Sequence, residues 1–474
     1  MRLAGFELRK LLCQKSLVVI FVICAMVNLL LLSFQGAGSY TPGMYLALME
    51  DLSGMTAEDA RDRVYEKREV LQEYIFRAEA EYDGEAAEEM APYTGDVWME
   101  RDLLDDVLDE LGKVAGYQDY LAGIQEDASD MMSVSIFRES AGFSTRNIEK
   151  TAEDFAGLSD IDPVPDVSAG VVMAAGQDAT DFIMVFFLAA LSVFLVMGEK
   201  QAGLLMLTAP TERGRQRTAA AKMAAMAVVM VIAMAVLYGE NFILAAERYG
   251  FGDLSRPVQS VGDYQSCILE VSVGQFFILY LAGKLLLYLV FCLIFFFICL
   301  LGKSMLQMIL VCIAVLGGSA ALYFLVAENS AFMALRYLNL FYFLQTDRLL
   351  TAYKNVNLFG QPVSLLAAAM VLLTAAAAVF AALSIAAVRG CRFLRTVGGK
   401  GLSRKRKLRQ RTGSITGFEY LKLMGKNGVV WILLLFAAVQ AYRIHDYHYF
   451  VQADDIYYKI YMDYLSGPVT EKTT

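Results

Sequence analysis

Charge is what this sequence has least of. Only 19% of its 474 residues are Asp, Glu, Lys or Arg, whereas 57% are hydrophobic and the mean hydropathy is +0.47. A soluble globular domain carries about 25% charged residues. A single soluble enzyme, a secreted disulfide scaffold and a disordered chain are therefore excluded. Cysteine is sparse outside the apolar runs: Cys24, Cys292, Cys299 and Cys312 lie inside them, and Cys13 and Cys391 sit beside basic clusters. Only Cys267 falls in a segment assigned below to the outside, which excludes an external disulfide framework. Histidine occurs twice, and no Cys/His spacing matches a zinc site. His445, Asp446 and His448 are spaced so that they do not share one helical face, so no metal is assigned to them. The carboxylates lack the spacing of a calcium loop. Gly302-Lys303-Ser304 looks like the end of a phosphate-binding loop, yet Phe297 stands where the first glycine belongs. No nucleotide site and no cofactor are expected, and no nucleophile, base and orienting group stand together as an enzyme would need.

What is present is long apolar runs. Seven are long enough to cross a bilayer, at about Leu17–Phe34, Thr180–Met197, Met223–Ala245, Lys284–Leu301, Met305–Ala327, Val363–Val388 and Val429–Arg443. Val271–Gly283, ahead of the fourth, is also apolar and reads as an interfacial or re-entrant helix, because Val271–Leu301 is long for one crossing. The expected fold is an all-α polytopic membrane helix bundle with a large helical extracytoplasmic domain after the first span.

Orientation follows from basic residues, which resist translocation. With the N-terminus inside, residues 1–16, 198–222, 302–304 and 389–428 are cytoplasmic and hold 22 basic against 4 acidic residues. The remainder holds 19 basic against 46 acidic. The expected location is the cell membrane, multi-pass, with a cytoplasmic N-terminus. The block Arg404-Lys405-Arg406-Lys407 reads as a topology anchor on the lipid surface. No aromatic residues interleave with it, so nucleic acid is not an expected partner.

The domains divide as 1–34 (an interfacial helix and the first span), 35–179 (the external domain), 180–388 (spans two to six), 389–428 (a basic linker) and 429–474 (the seventh span with the start of a second external segment). Residues 35–181 carry 34 acids against 10 basic residues. Thr56 with Asp59 suggests a capping box, and Ala60, Val64, Leu71, Ile75 and Ala78 fall on one helical face. A second stripe runs through Leu104, Leu108, Leu111, Val114 and Leu121. With Gly84 and Ala91-Pro92-Tyr93-Thr94-Gly95 between them, the two stripes predict a helical hairpin whose acids form a solvated face. Such a face attracts cationic peptides at long range.

An internal repeat links the ends of the chain. Phe6-Glu7-Leu8-Arg9-Lys10-Leu11 recurs as Phe418-Glu419-Tyr420-Leu421-Lys422-Leu423, each unit leading into an apolar run, and Leu52-Ser53-Gly54 is echoed by Leu465-Ser466-Gly467. Glu7, Lys10, Glu419 and Lys422 belong to two amphipathic interfacial helices on this reading. Residues 1–412 are then one six-span half, and 413–474 open a second.

Between spans two and three, residues 198–222 form the cytoplasmic loop. It holds Glu199, Gly203, an apolar run through Leu205, then Pro210, Arg213 and, further on, Lys222. A topology loop needs only a few positive charges. A glycine, an apolar stretch and a proline before the arginines describe a short helix, a turn and a basic entry helix. This pattern, with Glu7 and Lys10 ahead of the first span, resembles the permease subunits of ABC exporters of the second type, whose spans lack fused ATPase domains. Leu204 and Leu205-Met206 depart from the threonine and acid frequent there, and the external domain is larger than in many such permeases. The resemblance implies that this loop is a coupling helix docking in a separate ATPase subunit. It also implies that a second permease half or a homodimer partner completes the transporter, and that the substrate is a peptide, a drug or a lipid-like molecule. The alternative is a membrane sensor whose external domain binds a peptide or envelope component.

Three polar residues near the spans are candidates for a pathway. Glu240 and Asn241 lie near the outer end of the third span. Lys284, at the outer start of the fourth, is expected to snorkel to the interface.

Overall fold

A computed structural model describes residues 2–34, 39–78, 89–133, 142–201, 214–302, 304–328, 330 and 332–389, together with Phe436 and Gln440. The chain divides into two units, residues 1–399 and 400–474. The seventh apolar run and the second copy of the repeat, with Glu419 and Lys422, lie outside the described residues apart from those two helical positions.

The first unit is a helix bundle with a helical domain inserted after the first span. Helix α1 (Arg2–Leu12) is amphipathic and leads into α2 (Lys15–Phe34). The domain follows as α3 (Pro42–Asp51), α4 (Ala57–Ala78), α5 (Val97–Ala115), α6 (Tyr117–Ser133) and α7 (Phe143–Ala156). The short α8 (Ala169–Ala175) breaks at Gly176 before α9 (Asp178–Gln201), and α10 (Gly214–Arg248) returns. Next come α11 (Val273–Leu301), α12 (Met305–Leu325) and three short helices, α13 (Met333–Tyr337), α14 (Leu340–Leu344) and α15 (Thr346–Thr351). An antiparallel hairpin, β1 (Asn355–Leu358) with β2 (Gln361–Ser364), precedes α16 (Leu365–Arg389).

Six of these helices are long and apolar enough to cross a membrane: α2, α8–α9, α10, α11, α12 and α16. This is a multi-pass membrane protein. The middle of the bundle is α9, α10 and α11, whose apolar stretches are 50–67% buried, against 17–22% for α2, α12 and α16. The outer three therefore show most of their apolar surface to the surroundings, which only lipid solvates well. Because α2 rises from α1 to the domain and α9 descends from the domain to α1, the bundle has an α1 end and a domain end.

The structure corrects two span boundaries. The fourth span begins at Val273, and Val271–Gly283 is no separate re-entrant piece: α11 is one helix of 29 residues, about 43 Å long at 1.5 Å per residue. Its start is fixed by a capping box in which Ser272 Oγ accepts from Gln275 N at 3.3 Å and Gln275 Oε1 from Ser272 N at 3.1 Å. The sixth span begins at Leu365, because Val363 is in a strand, paired with Val356.

In the domain, α4 packs on α5 as the expected hairpin. Thr56 Oγ1 accepts from Asp59 N at 3.2 Å at the start of α4, and Ala60, Val64, Leu71 and Ile75 are buried against Leu103, Leu104, Val107 and Leu111. The second stripe, however, does not continue as one helix. Gly116 ends α5, and Leu121 packs with Tyr117, Phe155 and Leu158 in a smaller core shared by α6 and α7.

Candidate functional site: a polar layer inside the bundle

The break at Gly176 starts α9 close to the domain, so that Thr180 and Asp181 stand in its first turn, where the helix dipole favours a carboxylate. Asp181 meets Lys284 of α11. The ammonium Nζ lies 2.5 and 2.6 Å from the two carboxylate oxygens and donates to the Leu344 carbonyl at 2.5 Å. Tyr288, one turn further along α11, donates to Asp181 Oδ1 at 2.7 Å, and Tyr238 of α10 donates to the same oxygen. The rings of Tyr280 and Tyr238 stand 5.3 and 5.7 Å from the ammonium, within cation–π range. Lys284 is 0% exposed and Asp181 2%.

The same turn of α9 reaches a second group. Thr180 Oγ1 donates to Asn28 Oδ1 at 2.7 Å and to Asn241 Oδ1 at 3.1 Å. Asn28 of α2 donates to Glu240 Oε2 at 2.9 Å, to Asn241 Oδ1 at 3.3 Å and to the Leu237 carbonyl at 3.2 Å. Thr180 adjoins Asp181, and Tyr238 is three residues from Asn241, so the two groups form one polar layer across α2, α9, α10 and α11. Two of its atoms have no hydrogen-bond partner, Asn241 Nδ2 and Tyr280 Oη.

Lys284 thus corrects the expectation of snorkelling. It lies on the twelfth residue of α11, about 16 Å from the helix start. Its ammonium is enclosed and turned to Asp181 and the Leu344 carbonyl, so it is neutralised inside the bundle instead of reaching out to an interface. The layer brings Glu240 and Asn241 together and sets Lys284 beside them through Thr180 and Asp181. Asn28, Thr180, Asp181, Tyr238 and Tyr288 are members that sequence reasoning missed. For Asn28 a signal existed, a lone amide within an apolar run.

A third charged group lies at the α1 end. Lys222 of α10 pairs with Glu7 at 3.0 Å and with Glu199 at 2.8 Å, and Lys10 pairs with Glu199 and, at 3.8 Å, with Glu7. Two acids and two bases from α1, α9 and α10 therefore share one site, with the Lys222 side chain only 4% exposed. Lys200 beside it caps the end of α11 by donating to the Leu300 carbonyl at 2.9 Å and to that of Gly302. Gly203, Leu205, Pro210 and Arg213, between α9 and α10, lie outside the described residues.

Chemically, the layer offers fixed charge and hydroxyls but no activated nucleophile. Among the described residues no group of three His, Cys, Asp or Glu is set to hold a metal ion. Ionisable residues inside a membrane bundle mark pathways, relays or switches. Here the pair ties α9 to α11, so any motion separating those helices must find both charges new partners. No family model, no curated protein and no solved structure matches the chain.

Proposed function

We propose that this chain is the membrane permease subunit of an ATP-driven ABC transporter in the cell membrane. Its N-terminus is cytoplasmic, and a separate ATPase subunit energises export of a peptide, drug or lipid-like substrate. The observation that carries this reading is the four-charge site. Glu7, Lys10, Glu199 and Lys222 are singled out by their resemblance to exporter permeases, and they converge beside the last turn of α9 and the third turn of α10, the two helices that residues 202–213 join. A loop anchored on both sides to α9 and α10 can pass a push from a docked ATPase straight into the helices that carry Asp181 and Tyr238. The polar layer at the other end of those helices is then the part that alternates.

The test is a pull-down of tagged full-length chain from its native membranes, beside an Arg213→Glu, Leu205→Asp variant, with partners identified by mass spectrometry. An ATPase that accompanies the wild type and is lost from the variant supports the proposal. No ATPase in either sample would sink it and leave the sensor reading, in which the external domain acts directly on α8–α9 and α10.

A further inference from the structure

Where the domain meets the bundle there is a cavity of about 410 Å³. Three tyrosines wall it: Tyr40, Tyr45 and Tyr249, with the rings of Tyr45 and Tyr249 edge to face at 5.8 Å. Asp106, Asp109 and Glu110 enter it from α5, Asp263 from the opposite loop, and Lys113 is the one cation in its lining. Lys113 is already engaged, with Asp109 at 2.7 Å and Asp263 at 3.3 Å. Asp106 and Glu110 accept from tyrosine hydroxyls instead, Tyr40 at 2.7 Å and Tyr45 at 3.1 Å. Arg256, buried near Glu110, pairs with Asp166 at 3.7 Å and donates to the Val167 carbonyl.

Asp106 and Glu110 are four residues apart on one helix face, where two negative charges repel; burial holds the Glu110 carboxyl toward its protonated form, and a cation arriving between the two favours the ionised one. The tyrosine rings would be of no use to a bare metal ion. They suit an organic cation, whose stem packs on aromatic surface while its charge is attracted to the ring faces. The cavity is also in the size range of small-molecule sites. A primary ammonium fits best, because its three donors point in different directions and can reach acceptors that are not coplanar.

We propose that this cavity binds a primary ammonium group on an alkyl stem, of which the lysine side chain is the prototype, with the head on Asp106 and Glu110 and the stem against Tyr40, Tyr45 and Tyr249. Val172 and Met173, also in the lining, belong to α8 just ahead of α9, and Tyr249 directly follows α10. An occupant therefore touches both segments that continue into the polar layer. Binding here goes beyond the transport reading and is measured apart from it.

The test is calorimetric titration of the purified full chain in lipid nanodiscs with Nα-acetyl-lysine methylamide and with its norleucine counterpart, which keeps the stem and lacks the charge. Saturable binding of the lysine compound is expected, at least tenfold tighter than that of norleucine and at least tenfold weakened by Asp106→Asn with Glu110→Gln. Thermal melting checks that this variant is folded. If it melts early, Asp106→Asn alone, at an exposed position, is to weaken binding at least threefold. Absence of saturable lysine binding, equal binding of norleucine, or unchanged affinity in a folded variant would each overturn the proposal.

Discussion

Replacing Lys284 with methionine keeps the unbranched stem, one atom shorter, and strips Asp181 of the ammonium 2.5 and 2.6 Å from its two oxygens. At an effective dielectric of about 20 their attraction is roughly 6 kcal/mol, but removing each ion from water costs several kcal/mol. The pair as a whole is thus close to neutral for stability, whereas half of it is not. Lys284→Met leaves a buried carboxylate with hydroxyl donors only, and Asp181→Asn leaves a buried ammonium with amide and backbone carbonyls. Each single change is expected to cost about 3–5 kcal/mol. The double variant removes both charges and should lie within about 1–2 kcal/mol of the wild type. Equilibrium unfolding of the purified full chain in mixed micelles, read as a double-mutant cycle, gives a coupling of several kcal/mol if the geometry is right. Additive losses, or single variants costing under about 1 kcal/mol each, would refute the reasoning.

Gly170 faces the Gly250 carbonyl so closely that a Cβ would fall 1.8 Å from its oxygen. Gly170→Ala should cost about 1–3 kcal/mol by overpacking, seen as a lower melting temperature. Burial pushes the Glu110 carboxyl above its ordinary value, so the fold favours the protonated form. The corresponding stability is complete below the ordinary glutamate value and is lost as pH rises through the raised one. Melting temperature should accordingly fall less between pH 4.5 and pH 7.5 in Glu110→Gln than in the wild type, and an unchanged slope would count against the assignment. Asn28→Leu leaves Thr180 and Asn241 short of a partner at buried positions. A loss of about 1–3 kcal/mol is expected, whereas a neutral result in unfolding experiments would show that the layer is not mutually satisfied there.

The spans were legible because an apolar run of bilayer length has few other uses, and the domain hairpin because Ala60, Val64, Leu71 and Ile75 keep helical period. What failed did so for local reasons. Leu121 lies seven residues after Val114 and so continues the α5 stripe on paper, but Gly116 ends that helix and gives the residue to another core. Lys284 was set at an interface because the span was started there. The Ser272–Gln275 capping box starts the helix eleven residues earlier and carries the lysine inward. Asp181 was hidden by its company, one more acid at the edge of a segment with 34 of them. A pair 103 positions apart in sequence has no local signature that could join its members. At the α1 end the four charges could be named from the sequence. Their meeting required α1, α9 and α10 to pack together, which spacing alone does not specify.

The transport account stands or falls on coupling at that end. The most direct measurement is ATP hydrolysis by the material that purifies with tagged full-length chain from its native membranes, compared between the wild type and Glu199→Lys. The substitution puts a third base among Lys10 and Lys222 and leaves the polar layer untouched. The account predicts hydrolysis that accompanies the wild-type chain and falls severalfold with the variant. Equal hydrolysis in both preparations, or none in either, would contradict it.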